Sequence, residues 1–127
     1  MAGYSGKPLE AKLGIKPGMK VYVDGAPPSF ELAAPHVTRL PKKADVIVTF
    51  CPDRARLEKR IGLLVERTVV DGMVWVCWPK RASGMQTDLN ENVVRDIGLA
   101  AGVVDVKVAA IDEVWSGLKF VRRLRDR

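Results

Sequence analysis

The apolar positions of the chain form two kinds of pattern that alternate along it. Continuous β-branched and aromatic runs at 44–50 (ADVIVTF) and 73–78 (MVWVCW) predict strands that are covered on both faces. Residues 53–69 between them carry apolar side chains at helical spacing, with most charges on the opposite face; the apolar positions are Leu57, Ile61, Leu64 and Val65. The pattern therefore predicts strand, helix and strand in succession.

Weaker patterns precede this core. Pro8 predicts the start of a short helix that ends at Gly14, and residues 19–25 (MKVYVDG) predict a first buried strand. Residues 26–35 allow at most one or two helical turns, and 37–40 (VTRL) predict a short second strand.

The last third of the chain predicts a helix and a hairpin. Asp88 and Glu91 have the spacing of a capping box and predict the start of a helix that ends at Gly102. Residues 104–111 predict a strand that pairs with a half-exposed edge strand at 117–123. The fold class predicted is α/β: a single three-layer Rossmann-like domain, mainly parallel, with an antiparallel C-terminal hairpin strand.

Length and composition fit one domain over residues 1–127, with an N-terminal arm and short helix at 1–18 and a basic tail at 122–127. The hydrophobic share of 47% and charged share of 28% are those of a globular protein. The opening residues do not have the apolar core of a secretion signal, and the apolar runs are too short to cross a bilayer. We therefore expect a soluble cytoplasmic protein without a membrane partner.

The net charge of +6 favours an anionic partner only weakly, because much of the excess positive charge lies in the basic tail. A further basic cluster at Lys42 and Lys43 has no interleaved aromatic residues on which bases could stack. Nucleic-acid binding is therefore the less favoured expectation, whereas a homodimer is compatible with the sequence. Cys51 and Cys77 have no redox or zinc spacing and are interpreted as structural thiols. With His36 as the lone histidine, no metal site is predicted.

A candidate site follows from topology, since loops at the carboxyl ends of parallel strands gather at one edge of a sheet. The loop after the third long strand and the hairpin turn supply the polar and aromatic candidates, which are Lys80, Arg81, Ser83, Gly84, Thr87, Asp112, Trp115 and Ser116. Close to a helix amino terminus they could hold a phosphate or carboxylate. The alternative is structural: Thr87 and Asp88 cap the helix, and Trp115 covers the core edge beside a turn.

Catalytic residues are not evident. Asp112 and Glu113 are neighbours in a turn without a histidine, Ser83 has no nucleophile-elbow context, and Cys51 has no evident base. The leading hypothesis is a non-catalytic domain that binds a small ligand, an anion or another protein, without a cofactor. The alternatives are a degenerate methyltransferase-like or nucleotide-binding enzyme and a basic nucleic-acid accessory protein.

The order of elements resembles the carboxyl-terminal half of a class I methyltransferase, and residues 16–27 (KPGMKVYVDGAP) look like that family's first strand. The resemblance implies a glycine-rich cofactor loop after this strand, yet Gly25 is followed by Ala26, Pro27 and Pro28. It also implies an acidic residue after the second strand, where residues 39–41 read Arg, Leu and Pro.

A second resemblance covers nearly the whole chain. Residues 4–15 (YSGKPLEAKLGI), 78–89 (WPKRASGMQTDL) and 102–121 (GVVDVKVAAIDEVWSGLKFV) are similar to segments of small bacterial proteins grouped as domain of unknown function 3052. This family resemblance implies no particular reaction, substrate or cofactor.

Overall fold

The computed structural model describes residues 8–127, so the predictions made for the opening residues, including Tyr4, lie outside it. Three helices and five strands follow each other along these residues. The helices are α1 (Leu9–Leu13), α2 (Arg54–Glu66) and α3 (Glu91–Ala100). The strands are β1 (Val21–Asp24), β2 (Ala44–Phe50), β3 (Thr68–Pro79), β4 (Val103–Ala110) and β5 (Trp115–Arg122).

The strands form one sheet in the order β1-β2-β3-β5-β4. The first three are parallel, and β5 is antiparallel to both β3 and β4. This confirms the predicted mainly parallel sheet with an antiparallel hairpin strand. The prediction that 117–123 is an edge strand is wrong: β5 lies inside the sheet, where Leu118 and Phe120 are buried, and β4 is the edge.

The sheet separates two apolar cores, which makes the domain three-layered. One face packs against α2 and α3 and includes Trp78; the other packs against α1 and the chain that follows it, and includes Trp75. The indole Nε1 of Trp75 donates a hydrogen bond to the carbonyl oxygen of Leu13 over 3.0 Å, which fixes α1 to the sheet. The two tryptophans thus lie on opposite faces, as the strand period requires.

The predicted second strand at 37–40 is wrong. Val37 alone pairs with β1, donating to the carbonyl oxygen of Val21 and accepting from the amide of Val23, both over 2.9 Å. Leu40 then turns into the helix-side core, and the carbonyl oxygen of Pro41 accepts from the Arg67 guanidinium. Core packing of one apolar side chain, rather than strand pairing, decides the path of this segment.

The helix starts depend on caps. The Asp53 side chain accepts from the amide of Arg56 and starts α2 as predicted, but α2 ends at Glu66, and β3 begins directly at Thr68. The predicted capping box is wrong: Asn90 caps α3 by accepting from Val93 over 2.9 Å.

Basic side chains close the carboxyl ends of α2 and α3. Arg122 donates to the carbonyl oxygen of Val65 over 2.8 Å and to that of Thr68 over 2.9 Å. Lys43 donates to the carbonyl oxygen of Glu66 over 2.7 Å, and Arg123 donates to that of Leu99 over 3.4 Å. Cations in these positions satisfy helix carbonyls and oppose the helix dipole. Part of the basic tail is therefore structural.

No helix within residues 8–127 has the length and apolar character needed to cross a membrane.

Candidate functional site

The carboxyl ends of β1, β2 and β3 meet at one edge of the sheet, as parallel pairing requires. The predicted site residues all lie at this edge, but they are divided among different environments.

Lys80 and Asp112 hold the hairpin turn against the end of β3. The Lys80 ammonium donates to the carbonyl oxygen of Asp112 over 2.5 Å, and the Lys80 amide donates to that of Val114 over 2.7 Å. One Asp112 carboxylate oxygen accepts from the amides of Val114 and Trp115, both over 2.8 Å. Ser116 lies within β5, opposite Trp78.

Ser83 and Gly84 shape the loop that follows β3. The Ser83 hydroxyl donates to the Lys80 carbonyl oxygen over 2.6 Å and accepts from the Met85 amide over 3.2 Å. Gly84 has a φ of +79°, in the left-handed region that favours glycine. Both residues support a single 3-10 turn at Arg81–Ser83.

Trp115 is buried in the α1-side core. Its ring meets that of Phe50 edge to face, with centroids 5.1 Å apart. The side chain is 7% exposed, so its contacts are with the core.

Two of the predicted residues line a surface cavity of about 400 Å³ between the β3–α3 loop and the start of α3. The cavity is lined by both polar and apolar residues, which are Trp78, Pro79, Arg81, Met85, Thr87, Asp88, Leu89 and Asn90. Arg81 is exposed, and the Thr87 hydroxyl accepts from the Leu89 amide over 3.1 Å. The Asp88 carboxylate accepts from the Arg54 amide over 2.8 Å, so it satisfies the first amide of α2 and does not cap α3.

A buried charge network at the end of β1 was not predicted. The Asp24 side chain is 8% exposed and accepts five hydrogen bonds. Its Oδ1 accepts from the Tyr22 hydroxyl over 3.0 Å and from Arg60 Nη2 over 2.8 Å. Its Oδ2 accepts from the Thr49 hydroxyl over 2.8 Å, from Arg56 Nη2 over 3.1 Å and from Arg60 Nε over 3.3 Å.

The network lowers the pKa of the Asp24 carboxyl. Burial alone would raise this pKa, but hydrogen bonds from Thr49, Arg60 and Tyr22 and the charge of Arg60 outweigh it. Burial and the neighbouring Asp24 carboxylate raise the pKa of the Tyr22 hydroxyl, so the phenol stays protonated. Two guanidinium groups share one carboxylate, which leaves the cluster with a net positive charge.

Two sequence signals could have found this network. Asp24 is an acidic residue at the end of an otherwise apolar strand, and Arg56 and Arg60 are four residues apart on one side of α2. What the sequence did not show is that this side of α2 faces the end of β1.

The thiols at this edge are packed. Cys51 and Cys77 are buried on opposite faces of the sheet, and burial is the main cause that raises the pKa of each. The Thr49 hydroxyl lies 3.7 Å from the Cys51 sulfur. Neither thiol has the lowered pKa of a reactive cysteine.

These features define a class of fold: the chain has a mixed α/β, methyltransferase-like fold. It is similar to magnesium protoporphyrin IX methyltransferase from Synechocystis PCC 6803, solved with bound SAM and with bound SAH, at 14% identity and a TM-score of 0.53. The match covers 69% of this chain and 45% or 50% of those chains, so this chain spans about half their length. No family model and no curated protein matches the sequence, and the resemblance to domain of unknown function 3052 stays a prediction.

The residues at the end of β1 do not fit S-adenosylmethionine. Open α/β sheets bind such ligands beyond the carboxyl ends of their strands, where the backbone needs free space. Here the Arg56 guanidinium lies 2.5 Å from the position where a side chain at Gly25 would begin, and Arg56 Nε donates to the Phe50 carbonyl oxygen over 3.0 Å. The protein's own arginine occupies the space between the ends of β1 and β2.

Proposed function

We propose that this chain is a non-catalytic binding domain with a methyltransferase-like fold, and that it takes a small anionic ligand in the cavity between the β3–α3 loop and α3. The observation that carries the non-catalytic part is the position of Arg56. Its guanidinium fills the end of β1 and is held there by the Asp24 carboxylate and the Phe50 carbonyl oxygen. A cofactor at that position would have to displace both interactions.

The cavity supports the binding part of the proposal. Its volume of about 400 Å³ lies within the size range of small-molecule sites. Arg81 supplies a guanidinium suited to carboxylate or phosphate, and Thr87 supplies a hydroxyl. Asp88, the acidic residue of the lining, accepts a hydrogen bond from the Arg54 amide, which partly offsets its repulsion of an anion.

A thermal-shift screen with inorganic phosphate, nucleotides and phosphorylated sugars tests this proposal. A ligand at 100 times its dissociation constant adds roughly 2.7 kcal/mol, which raises the melting temperature of a domain of this size by on the order of 10 °C. We expect Arg81→Ala to abolish the shift and Arg125→Ala, in the exposed tail, to preserve it. A shift that survives Arg81→Ala would place the ligand elsewhere and contradict the proposal.

A degenerate methyltransferase is the second candidate, and it is favoured by the fold similarity to structures that hold SAM or SAH. The same screen separates the two. A shift with S-adenosylmethionine or S-adenosylhomocysteine that is unchanged in Arg81→Ala would support the second candidate and refute the first.

A further inference from the structure

One side of the molecule carries a group of cations that do not line the ligand cavity. We call it the basic flank, and it is formed by α2 and the segment that runs beside it: Arg39, Lys42, Lys43, Arg56, Lys59, Arg60 and Arg67. From this flank we propose that the protein binds the phosphate backbone of duplex nucleic acid.

Four cations of the flank lie on one side of α2 because of their helical spacing. Arg56 and Lys59 are three residues apart, Arg56 and Arg60 four, and Arg60 and Arg67 seven, so they lie along one side of α2. Leu57, Ile61 and Leu64 lie on the buried side, and Arg54 and Glu58 lie on the other flank, in the groove towards α3.

The β1–β2 connection brings the remaining cations to the same side. Val37 pairs with the outer edge of β1, and Leu40 packs into the core beneath α2. The Pro41 carbonyl oxygen accepts from Arg67 over 3.0 Å, and the Lys43 ammonium donates to the Glu66 carbonyl oxygen over 2.7 Å. Residues 40–43 therefore lie beside the carboxyl-terminal end of α2, and Arg39 directly precedes them.

The acidic residues near the flank do not cancel its charge. Asp24 is buried beneath Arg56 and Arg60 and neutralises one charge of the two. Asp53, the N-cap of α2, and Glu66, which is seven residues after Lys59 and therefore on the same side of the helix, each offset one further charge. The seven cations of the flank still outnumber these three carboxylates. Lys42 and Lys59 are exposed, and neither side chain has a hydrogen bond or ion pair within the part of the chain that the structure describes.

The exposed side chains of residues 8–127 favour a duplex over a single strand as the ligand of the flank. Arg56 to Arg67 span about 16 Å at a rise of 1.5 Å per residue, which matches roughly five phosphates along one strand of a duplex. Single strands are usually held by exposed aromatic rings, and within residues 8–127 every aromatic side chain is buried or half-buried. Contacts to backbone without base stacking predict binding with little sequence preference.

Fluorescence anisotropy with a labelled duplex of about 20 base pairs tests the proposal. Four to five phosphate contacts predict that log K falls with log salt at a slope of about −4. We compare Lys42→Glu/Lys59→Glu with the control Lys16→Glu/Arg125→Glu, which lowers the net charge equally. None of these four side chains belongs to the ligand cavity.

We expect the flank variant to lose at least tenfold in affinity, since each phosphate contact contributes about tenfold at 0.1 M salt. We also expect the magnitude of its slope of log K against log salt to decrease by about 2. The control should stay within about twofold. Equal losses in both variants, a flat salt dependence, or tighter binding of a single strand of the same length would overturn the proposal. The outcome is independent of the Arg81 experiment.

Discussion

Replacing Asp24 by Asn should destabilise the domain by about 3 kcal/mol. The substitution keeps the shape of the side chain but removes the counter-charge of two guanidinium groups. The five hydrogen bonds that Asp24 accepts, at 2.8–3.3 Å, cannot all be kept by one amide oxygen. Breaking a buried ion pair costs about 3–5 kcal/mol, and the partial exposure of Arg56 and Arg60, at 34% and 25% of their side chains, favours the lower end.

Urea unfolding followed by tryptophan fluorescence measures this loss. Because the folded state lowers the pKa of Asp24, the carboxylate contributes stability above its ordinary pKa of about 4 and loses it as the pH falls through the folded pKa. The difference between the two proteins should thus be complete at pH 7 and shrink below about pH 4. Glu58→Gln, which removes an exposed ion pair with Arg54, is the control and should cost under about 1 kcal/mol. A loss at Asp24 no larger than the control's would refute the reasoning.

Two further predictions concern packing. Gly98→Ala should destabilise the protein by about 1–3 kcal/mol despite the better helix propensity of alanine, because the new methyl group would overlap the buried ring of Phe120. Gly62→Ala adds a methyl group with nothing within 4 Å and should stabilise the protein by up to about 1 kcal/mol. Equal effects of the two substitutions in urea unfolding would contradict this. Cys51 and Cys77 should resist a thiol reagent such as dithionitrobenzoate in the native protein and react after unfolding; rapid native labelling would be inconsistent with their burial.

The elements that sequence predicted best are those whose signal is local. The strand at 44–50 coincides with β2, because a run of β-branched residues between prolines leaves few other structures. The start of α2 also agrees with the helical spacing predicted from residue 53 onwards, and the structure shows that the Asp53 side chain caps this start. The predicted start of α3 was wrong because Asp88 and Asn90 both have side chains that can cap a helix. The choice between them depends on Leu89, which is buried in the core before the helix begins.

The candidate site shows the same division. The topology rule correctly placed the β3–α3 loop and the hairpin turn at one edge of the sheet, yet Lys80 and Asp112 bond to each other there, and Arg81 and Thr87 line the cavity. The network around Asp24 was not predicted, because Tyr22, Thr49 and Arg60 come from separate elements.

The sequence by itself determined the kinds and order of the main helices and strands and the mainly parallel sheet, because periodicity and short connections act between residues close in the chain. Only the tertiary structure decided that β5 lies between β3 and β4, that Arg56 fills the end of β1, and that the cations of α2 and residues 39–43 form one flank. These outcomes depend on which side chains packing brings together from distant parts of the chain, such as Asp24 and Arg60, and that information is not contained in local spacing.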